Sequence, residues 1–181
     1  MMIRSAAVAL VLFVGSAFAA ESVKSGPQVG EKVPGPFHPL NINGSMAGKK
    51  HCLFCENGTN PVAMIFARNV DSNLVDLIKK IEDATAKNAD AKMGSFVVFL
   101  SDDKDMEAKL KETAEKAGLK KCVLSLDNPA GPKGYAVAEK ADITVVLYKD
   151  REVKANYSFG KGELKSADID TIVKDVSKIT K

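Results

Sequence analysis

Two nearly continuous apolar runs, at residues 62–67 and 95–100, constrain the fold more than any other feature of the chain. Each run has the length of a strand and lacks a polar face, which is typical of strands covered on both sides. A helical pattern follows each run: one is capped by Asp71 or Ser72, and the other covers residues 101–117. Strands that alternate with helices in this way predict parallel crossovers and a sheet with helices on both faces.

The remaining patterns complete a mixed sheet. They predict a short edge strand at 37–42, a strand at 122–126, a helical turn at 135–139, strands at 143–148 and 152–159, and a last helix capped by Ser166. The last two strands flank a tight turn and are expected to form an antiparallel hairpin. We therefore predict an α/β fold, with a central mixed β-sheet flanked by helices in the order β-α-β-α-β-(α)-β-β-α, in one domain at residues 37–181.

The first residues have the pattern of a secretory signal peptide. Arg4 supplies a positive charge, residues 6–14 are apolar, and residues 17–19 (Ala-Phe-Ala) are a small-x-small cleavage site, so residues 1–19 are predicted to be removed. Residues 20–36 are rich in Gly, Pro, Ser and Lys and are expected to form an extended N-terminal arm. No later stretch reaches about 18 apolar residues, so no membrane anchor is expected in the mature chain. The expected localisation is exported, periplasmic or secreted, where disulfides are permitted.

Charge and motif content exclude several function classes. The chain carries 26 basic and 23 acidic residues, a formal net charge of +3, and its lysines cluster on predicted helix faces. Such clusters are typical of solvated faces, so no nucleic acid partner is expected. The sequence contains no phosphate-binding glycine loop and no Ser-His-Asp pattern, so no cofactor is expected. Nothing in the pattern indicates an oligomeric state.

The residues most able to take part in redox or metal chemistry are the three cysteines of the chain. Cys52 and Cys55 form the only CxxC, directly after His51, and Cys122 begins a predicted strand. Because the CxxC precedes the strand at 62–67, it is expected near the N-terminal end of that strand. Cys122 also lies at a strand start, so all three cysteines are expected at one pole of the sheet. An odd number leaves one thiol free, paired with another chain or bound to a metal.

Five short phrases lie at residues 29–34, 62–67, 125–129, 134–137 and 144–148. Together with the element order, they resemble the thioredoxin-like superfamily, and within it the redoxin branch of peroxiredoxins and exported disulfide reductases. The resemblance implies a thioredoxin-like fold over nearly the whole mature chain.

The resemblance also implies a reactive cysteine just after the central strand, at a helix N-terminus that lowers the pKa of its thiol. A cis-proline commonly lies beside that site. In this chain residues 68–74 contain no cysteine, and Ile143 stands at the position matching the proline. Both ordinary catalytic features of the family are therefore missing.

Three interpretations of the CxxC remain open. It is a structural disulfide, between Cys52 and Cys55 or between one of them and Cys122. Alternatively it is a redox-active pair, with His51 favouring a neighbouring thiolate. The third interpretation is a copper or zinc site with His51, Cys52, Cys55 and Cys122 as candidate ligands.

The most concrete functional hypothesis is a thiol–disulfide oxidoreductase or electron relay with Cys52 and Cys55 as its catalytic pair. Its partner would be a protein thiol or disulfide, and Leu53 and Phe54 would provide a partly exposed apolar docking face. The alternatives are a non-catalytic binding or scaffold module with a structural disulfide, and a carrier of copper or zinc.

Overall fold

A six-stranded sheet forms the centre of the computed structural model, which describes residues 23–181. The strand order is β1-β4-β3-β2-β5-β6. The strands are β1 (Leu40–Asn41), β2 (Val62–Ala67), β3 (Gly94–Leu100), β4 (Cys122–Asp127), β5 (Ile143–Lys149) and β6 (Glu152–Phe159). Strands β2, β3 and β4 run parallel, whereas β1, β5 and β6 pair antiparallel with their neighbours. The predicted α/β class and mixed sheet are confirmed.

Helices connect or flank these strands. They are α1 (Leu53–Asn57), α2 (Ser72–Lys87), a 3-10 turn (Ala89–Ala91), α3 (Met106–Ala117), α4 (Ser166–Asp175) and α5 (Ser177–Thr180). Asp71 caps α2 as predicted, since its carboxylate accepts a hydrogen bond from the backbone N–H of Leu74 at 2.8 Å. Within residues 23–181, every helix is too short or too polar to cross a membrane.

The sheet separates two apolar layers, because successive side chains of a strand point to opposite faces. One layer is formed with α2, α3 and α4, and the other contains Phe37, α1 and Tyr135. No residue of β2 is more than 1% exposed, so the central strand is buried on both faces. The second layer is covered by the arm, the short α1 and a loop rather than by long helices, which differs from the prediction of helices on both faces.

The prediction of a helical turn at residues 135–139 is wrong. Tyr135 is buried and its hydroxyl donates a hydrogen bond to the carbonyl of Gly35, while Ala136 has a positive φ of 51°. The Ala136 carbonyl accepts a hydrogen bond from the N–H of Gly26. The backbone of this segment therefore bonds to the N-terminal arm instead of to itself. Conversely, α1 was not predicted, since a helix of five residues is too short to show a 3.6-residue period.

Three element boundaries also differ from the predictions. The edge strand is shortened to Leu40–Asn41. Helix α3 begins at Met106 rather than at 101, because the side chains of Ser101 and Asp103 accept N–H groups two residues ahead and form turns. Ser166 is the first residue of α4 and not its cap, which is Lys165.

Residues 23–36 of the predicted arm lie against the sheet. The N–H of Gly30 donates to the carbonyl of Val153, and the N–H of Val153 donates to the carbonyl of Glu31, both at 2.9 Å. Ser25 is buried and bonds to the Thr144 hydroxyl at 2.7 Å. The predicted signal peptide, residues 1–19, lies outside the described residues.

Gly94 couples β3 to the segment that carries the CxxC. A Cβ at this position would lie 2.6 Å from Cγ and 1.8 Å from Oδ1 of Asn57, whose amide also caps the Leu53 carbonyl at 2.8 Å. We expect Gly94→Ala to lower the free energy of unfolding by about 1–3 kcal/mol, as overpacking does. Urea denaturation of Gly94→Ala in the wild-type and Asn57→Ala backgrounds measures this. An equal cost in both backgrounds would show that the clash with Asn57 is not the cause.

Candidate functional site

The CxxC segment lies across the N-terminal end of β2. Leu53 and Phe54 are only 3% and 4% exposed and pack into the second apolar layer. The ring of Phe54 lies 6.4 Å from that of Tyr148 on β5. The expected position of the motif before the central strand is correct, but the expected apolar docking face is not, because both apolar side chains point inward.

Cys52 and Cys55 form a disulfide, with their Cα atoms 5.2 Å apart. The two residues have unequal environments: Cys52 is 5% exposed, whereas Cys55 is an exposed residue. Cys52 caps α1, and its sulfur accepts a hydrogen bond from the N–H of Cys55 at 3.1 Å. A partner molecule can therefore reach Cys55, while the sulfur of Cys52 is covered and held by a donor.

His51 lies beside this disulfide and contacts Glu56. Its Nε2 atom is 3.0 Å from Oε2 of the Glu56 carboxylate, so the two side chains that flank the CxxC form one pair. The side chain of His51 is 30% exposed and that of Glu56 is 51% exposed. Glu56 was not among the predicted site residues, although it directly follows Cys55 in the sequence.

The hairpin turn between β5 and β6 holds the other side of the segment. The guanidinium carbon of Arg151 lies 5.0 Å from the centre of the Phe54 ring, and its Nε donates to the carbonyl of Gly58 at 3.4 Å. The N–H of Asp150 donates to the carbonyl of Thr59 at 3.0 Å. Sequence patterns did not indicate these contacts, because they join residues about 90 positions apart.

Cys122 is separated from the other two cysteines. It shares their pole of the sheet, but its side chain lies in the layer formed with α2 and α3, on the opposite face from Cys52. It is a buried free thiol. The sheet therefore excludes the expected gathering of three sulfurs, and Cys122 does not pair with Cys52 or Cys55.

Burial raises the pKa of the Cys122 thiol to about 12, outweighing a hydrogen bond with Ser95 that lowers it. The Glu82 carboxylate also raises this pKa. That carboxylate accepts hydrogen bonds from the backbone N–H groups of Lys120, Lys121 and Cys122, and so fixes the start of β4. These contacts assign Cys122 a place in the core rather than in a reactive site.

The candidate metal ligands do not form a donor set. Among residues 23–181, no group of three or more His, Cys, Asp or Glu side chains is arranged to hold a metal ion. Cys52 and Cys55 are bonded to each other and Cys122 lies across the sheet, which leaves His51 paired with Glu56. With Cys52 and Cys55 in a disulfide, these residues therefore do not supply the ligands of a copper or zinc site.

At the opposite pole, where the family resemblance places its chemistry, an arginine binds the neighbouring loops. The guanidinium of Arg68, directly after β2, donates to the carbonyls of Ala141, Pro129 and Ala138. No cis peptide bond occurs in residues 23–181. An arginine that binds loop carbonyls therefore occupies the region of the family's reactive cysteine.

Comparison with solved structures identifies the fold. A candidate protein disulfide isomerase from Bacteroides thetaiotaomicron aligns with a TM-score of 0.65 at 16% identity, over 87% of this chain and 94% of that one. A candidate thiol:disulfide interchange protein DsbE from Chlorobium tepidum aligns with a TM-score of 0.62 at 13% identity, over 88% of this chain and 100% of that one. Peroxidoxin BcpB from Mycobacterium tuberculosis aligns with a TM-score of 0.57 at 18% identity, over 87% of this chain and 99% of that one. The sequence matches no family profile and no curated protein.

These structures show that the chain has the thioredoxin-like fold, and that its structural neighbours are redoxins. The fold and the neighbours predicted from the sequence are confirmed.

The burial of Cys122 predicts that its thiol does not react with alkylating reagents in the folded protein. With a pKa of about 12, roughly one molecule in 10,000 carries the thiolate at about pH 8. In the Cys52→Ser/Cys55→Ser variant, where Cys122 is the remaining thiol, we expect no labelling by iodoacetamide until urea is added. Labelling in native buffer at the rate of a free cysteine would contradict the burial of this side chain.

Proposed function

We propose that the protein is an exported thiol–disulfide oxidoreductase or electron relay that acts through the Cys52–Cys55 pair on protein thiols or disulfides. The observation that carries this proposal is the asymmetry of the two sulfurs: Cys55 is exposed, and the sulfur of the buried Cys52 accepts an N–H. The fold of the redoxins and a disulfide-forming CxxC support the same class of chemistry.

This asymmetry supports a different role for each sulfur. A thiolate of the partner attacks the exposed Cys55 sulfur, forming a mixed disulfide and breaking the Cys52–Cys55 bond. The leaving sulfur is Cys52, whose negative charge is stabilised by the N–H of Cys55 at 3.1 Å. A second thiolate of the same partner then attacks the partner's sulfur in the mixed disulfide. This forms a disulfide within the partner and releases the Cys55 thiolate. The partner loses two electrons and two protons, which the Cys52 and Cys55 thiols carry.

The reverse reaction reduces a partner. The Cys55 thiolate attacks the partner disulfide, and Cys52 resolves the resulting mixed disulfide by attacking the Cys55 sulfur. His51 and Glu56 flank the two cysteines in the sequence and contact each other, and an imidazole in such a position is a group through which the proton of a reacting thiol can pass. His51 is therefore proposed as a modulating residue and not as a nucleophile.

A purely structural crosslink explains these features less well. A disulfide that closes a loop of about four residues stabilises a protein by only about 2 kcal/mol in the chain-entropy description. The segment is already held by the burial of Leu53 and Phe54 and by the contacts of Asp150 and Arg151. Opening the disulfide therefore leaves the segment anchored on both sides, as a reversible redox site requires.

Export is the remaining part of the proposal. The signal-peptide pattern at residues 1–19 and the disulfide between Cys52 and Cys55 both support it, because disulfides persist in oxidising compartments.

Replacing one cysteine of the pair at a time tests the assignment of roles. In Cys52→Ser the exposed Cys55 thiol remains without its resolving partner, so we expect the reduced variant to accumulate mixed disulfides when it is incubated with insulin whose disulfides are intact. In Cys55→Ser the remaining Cys52 of the pair is buried. We expect at least about ten-fold less adduct, because the substrate cannot easily reach its sulfur. Non-reducing gels and intact mass measure both adducts.

Two measurements on the mature protein complete the test: its rate of insulin reduction, and the reduction potential of its Cys52–Cys55 pair from a redox titration. We expect thiol-dependent turnover that both substitutions abolish, and a reduction potential above about −300 mV. A lower potential without turnover would make the pair a structural disulfide in a non-catalytic scaffold.

A further inference from the structure

The turn between β5 and β6 holds Arg151 in a backbone conformation that disfavours its side chain. Asp150 and Arg151 have φ values of 54° and 60°, the left-handed values of the two central residues in a tight type I′ hairpin turn. Aspartate tolerates this conformation, but the second position favours glycine, because a Cβ approaches the following carbonyl oxygen. Backbone strain of this kind occurs where a side chain is needed for another purpose.

The side chain of Arg151 extends to the CxxC segment. Its guanidinium lies over Phe54, the residue before Cys55, and its Nε contacts the carbonyl of Gly58, three residues after Cys55. Among the described residues its two Nη atoms have no hydrogen-bond acceptor, and the guanidinium forms no ion pair. An exposed cation with free donors is therefore held against the segment that carries the exposed Cys55.

Neighbouring charges leave this cation uncompensated. Glu56 is paired with His51, and Glu152 is paired with Lys32 and Lys154. Lys49 and Lys50, which precede the CxxC, are exposed and form no ion pair within residues 23–181. The carboxylates of Asp150 and Glu31, which lie in or next to the turn, form no ion pair within these residues either, and neither of them pairs with the Arg151 guanidinium.

We propose that Arg151 recognises a carboxylate of the protein partner, so that the preferred partners carry aspartate or glutamate beside their reactive cysteine. This inference rests on the proposed exchange reaction and names its substrate class. A guanidinium presents two parallel N–H donors that match a carboxylate, which a lysine ammonium does not. Arg151 acts as a positioning residue: it touches the partner near the reacting sulfur and takes no part in the transfer of electrons.

Two synthetic peptides test the preference. Each contains one cysteine, flanked by glutamates in one peptide and by glutamines in the other, and each is reacted with the oxidised mature protein under pseudo-first-order conditions. Each rate is divided by the rate of the same peptide with 2-hydroxyethyl disulfide, which removes the effect of the flanking charges on the cysteine itself. We expect a normalised preference of about ten-fold for the acidic peptide at low salt, which disappears at about 1 M NaCl.

Substitutions of Arg151 test whether this residue causes the preference for the acidic peptide. In Arg151→Gly the turn gains the residue it favours, so we expect unchanged or higher stability in urea and an acidic-to-neutral ratio near one. Arg151→Lys keeps the charge without the paired donors and is expected to restore only part of the ratio. Lys140→Gln removes one charge at the other pole of the sheet and should keep the full ratio. If Arg151→Gly does not fold, Arg151→Asn provides the same test, since asparagine also tolerates the left-handed conformation.

The outcomes separate the two proposals. Exchange with both peptides, with no preference or with a preference that Arg151→Gly retains, overturns the role of Arg151 and leaves the exchange activity intact. No reaction with either peptide overturns the exchange activity and this inference with it.

Discussion

Burial of β2 on both faces is the constraint on which the rest of the structure depends. Its six residues are apolar on both sides of the strand, so the sheet needs a cover on each face. Helices α2, α3 and α4 cover one face, and the arm, α1 and the loop around Tyr135 cover the other. Leu53 and Phe54 are part of this second cover. The disulfide therefore lies where it does because the two residues between its cysteines complete the core.

The same packing divides the molecule into two chemically different poles. At the carboxyl end of β2 the Arg68 guanidinium donates hydrogen bonds to three loop carbonyls, and residues 68–74 contain no cysteine. At the amino end, one sulfur is buried against the core and the other is exposed. In a CxxC, unequal access of this kind decides which sulfur exchanges with a partner and which one leaves. In the proposed exchange reaction, the position of α1 therefore makes the two sulfurs inequivalent.

The sequence predicted the features that depend on local periodicity. The apolar runs identified β2 and β3, and Asp71 identified the start of α2, because burial and capping leave a pattern within a few residues. Long-range contacts left no such pattern. The helical turn expected at 135–139 is absent since the segment bonds to the arm about 110 residues earlier. The pole of Cys122 followed from strand direction, but its face depends on the register of β4 against β3, which the sequence does not reveal.

Stability alone does not account for the chemistry around Cys55. A crosslink across about four residues adds roughly 2 kcal/mol, and a left-handed arginine costs about 1–2 kcal/mol that glycine would avoid. A chain optimised only for folding would place its crosslink across a longer loop and glycine at position 151. Instead the disulfide lies on a short segment that is already anchored by the burial of Phe54, and Arg151 contacts that same segment from the hairpin turn. The proposed exchange explains their common location, because it uses both an exposed sulfur and a cation that is free to meet the partner.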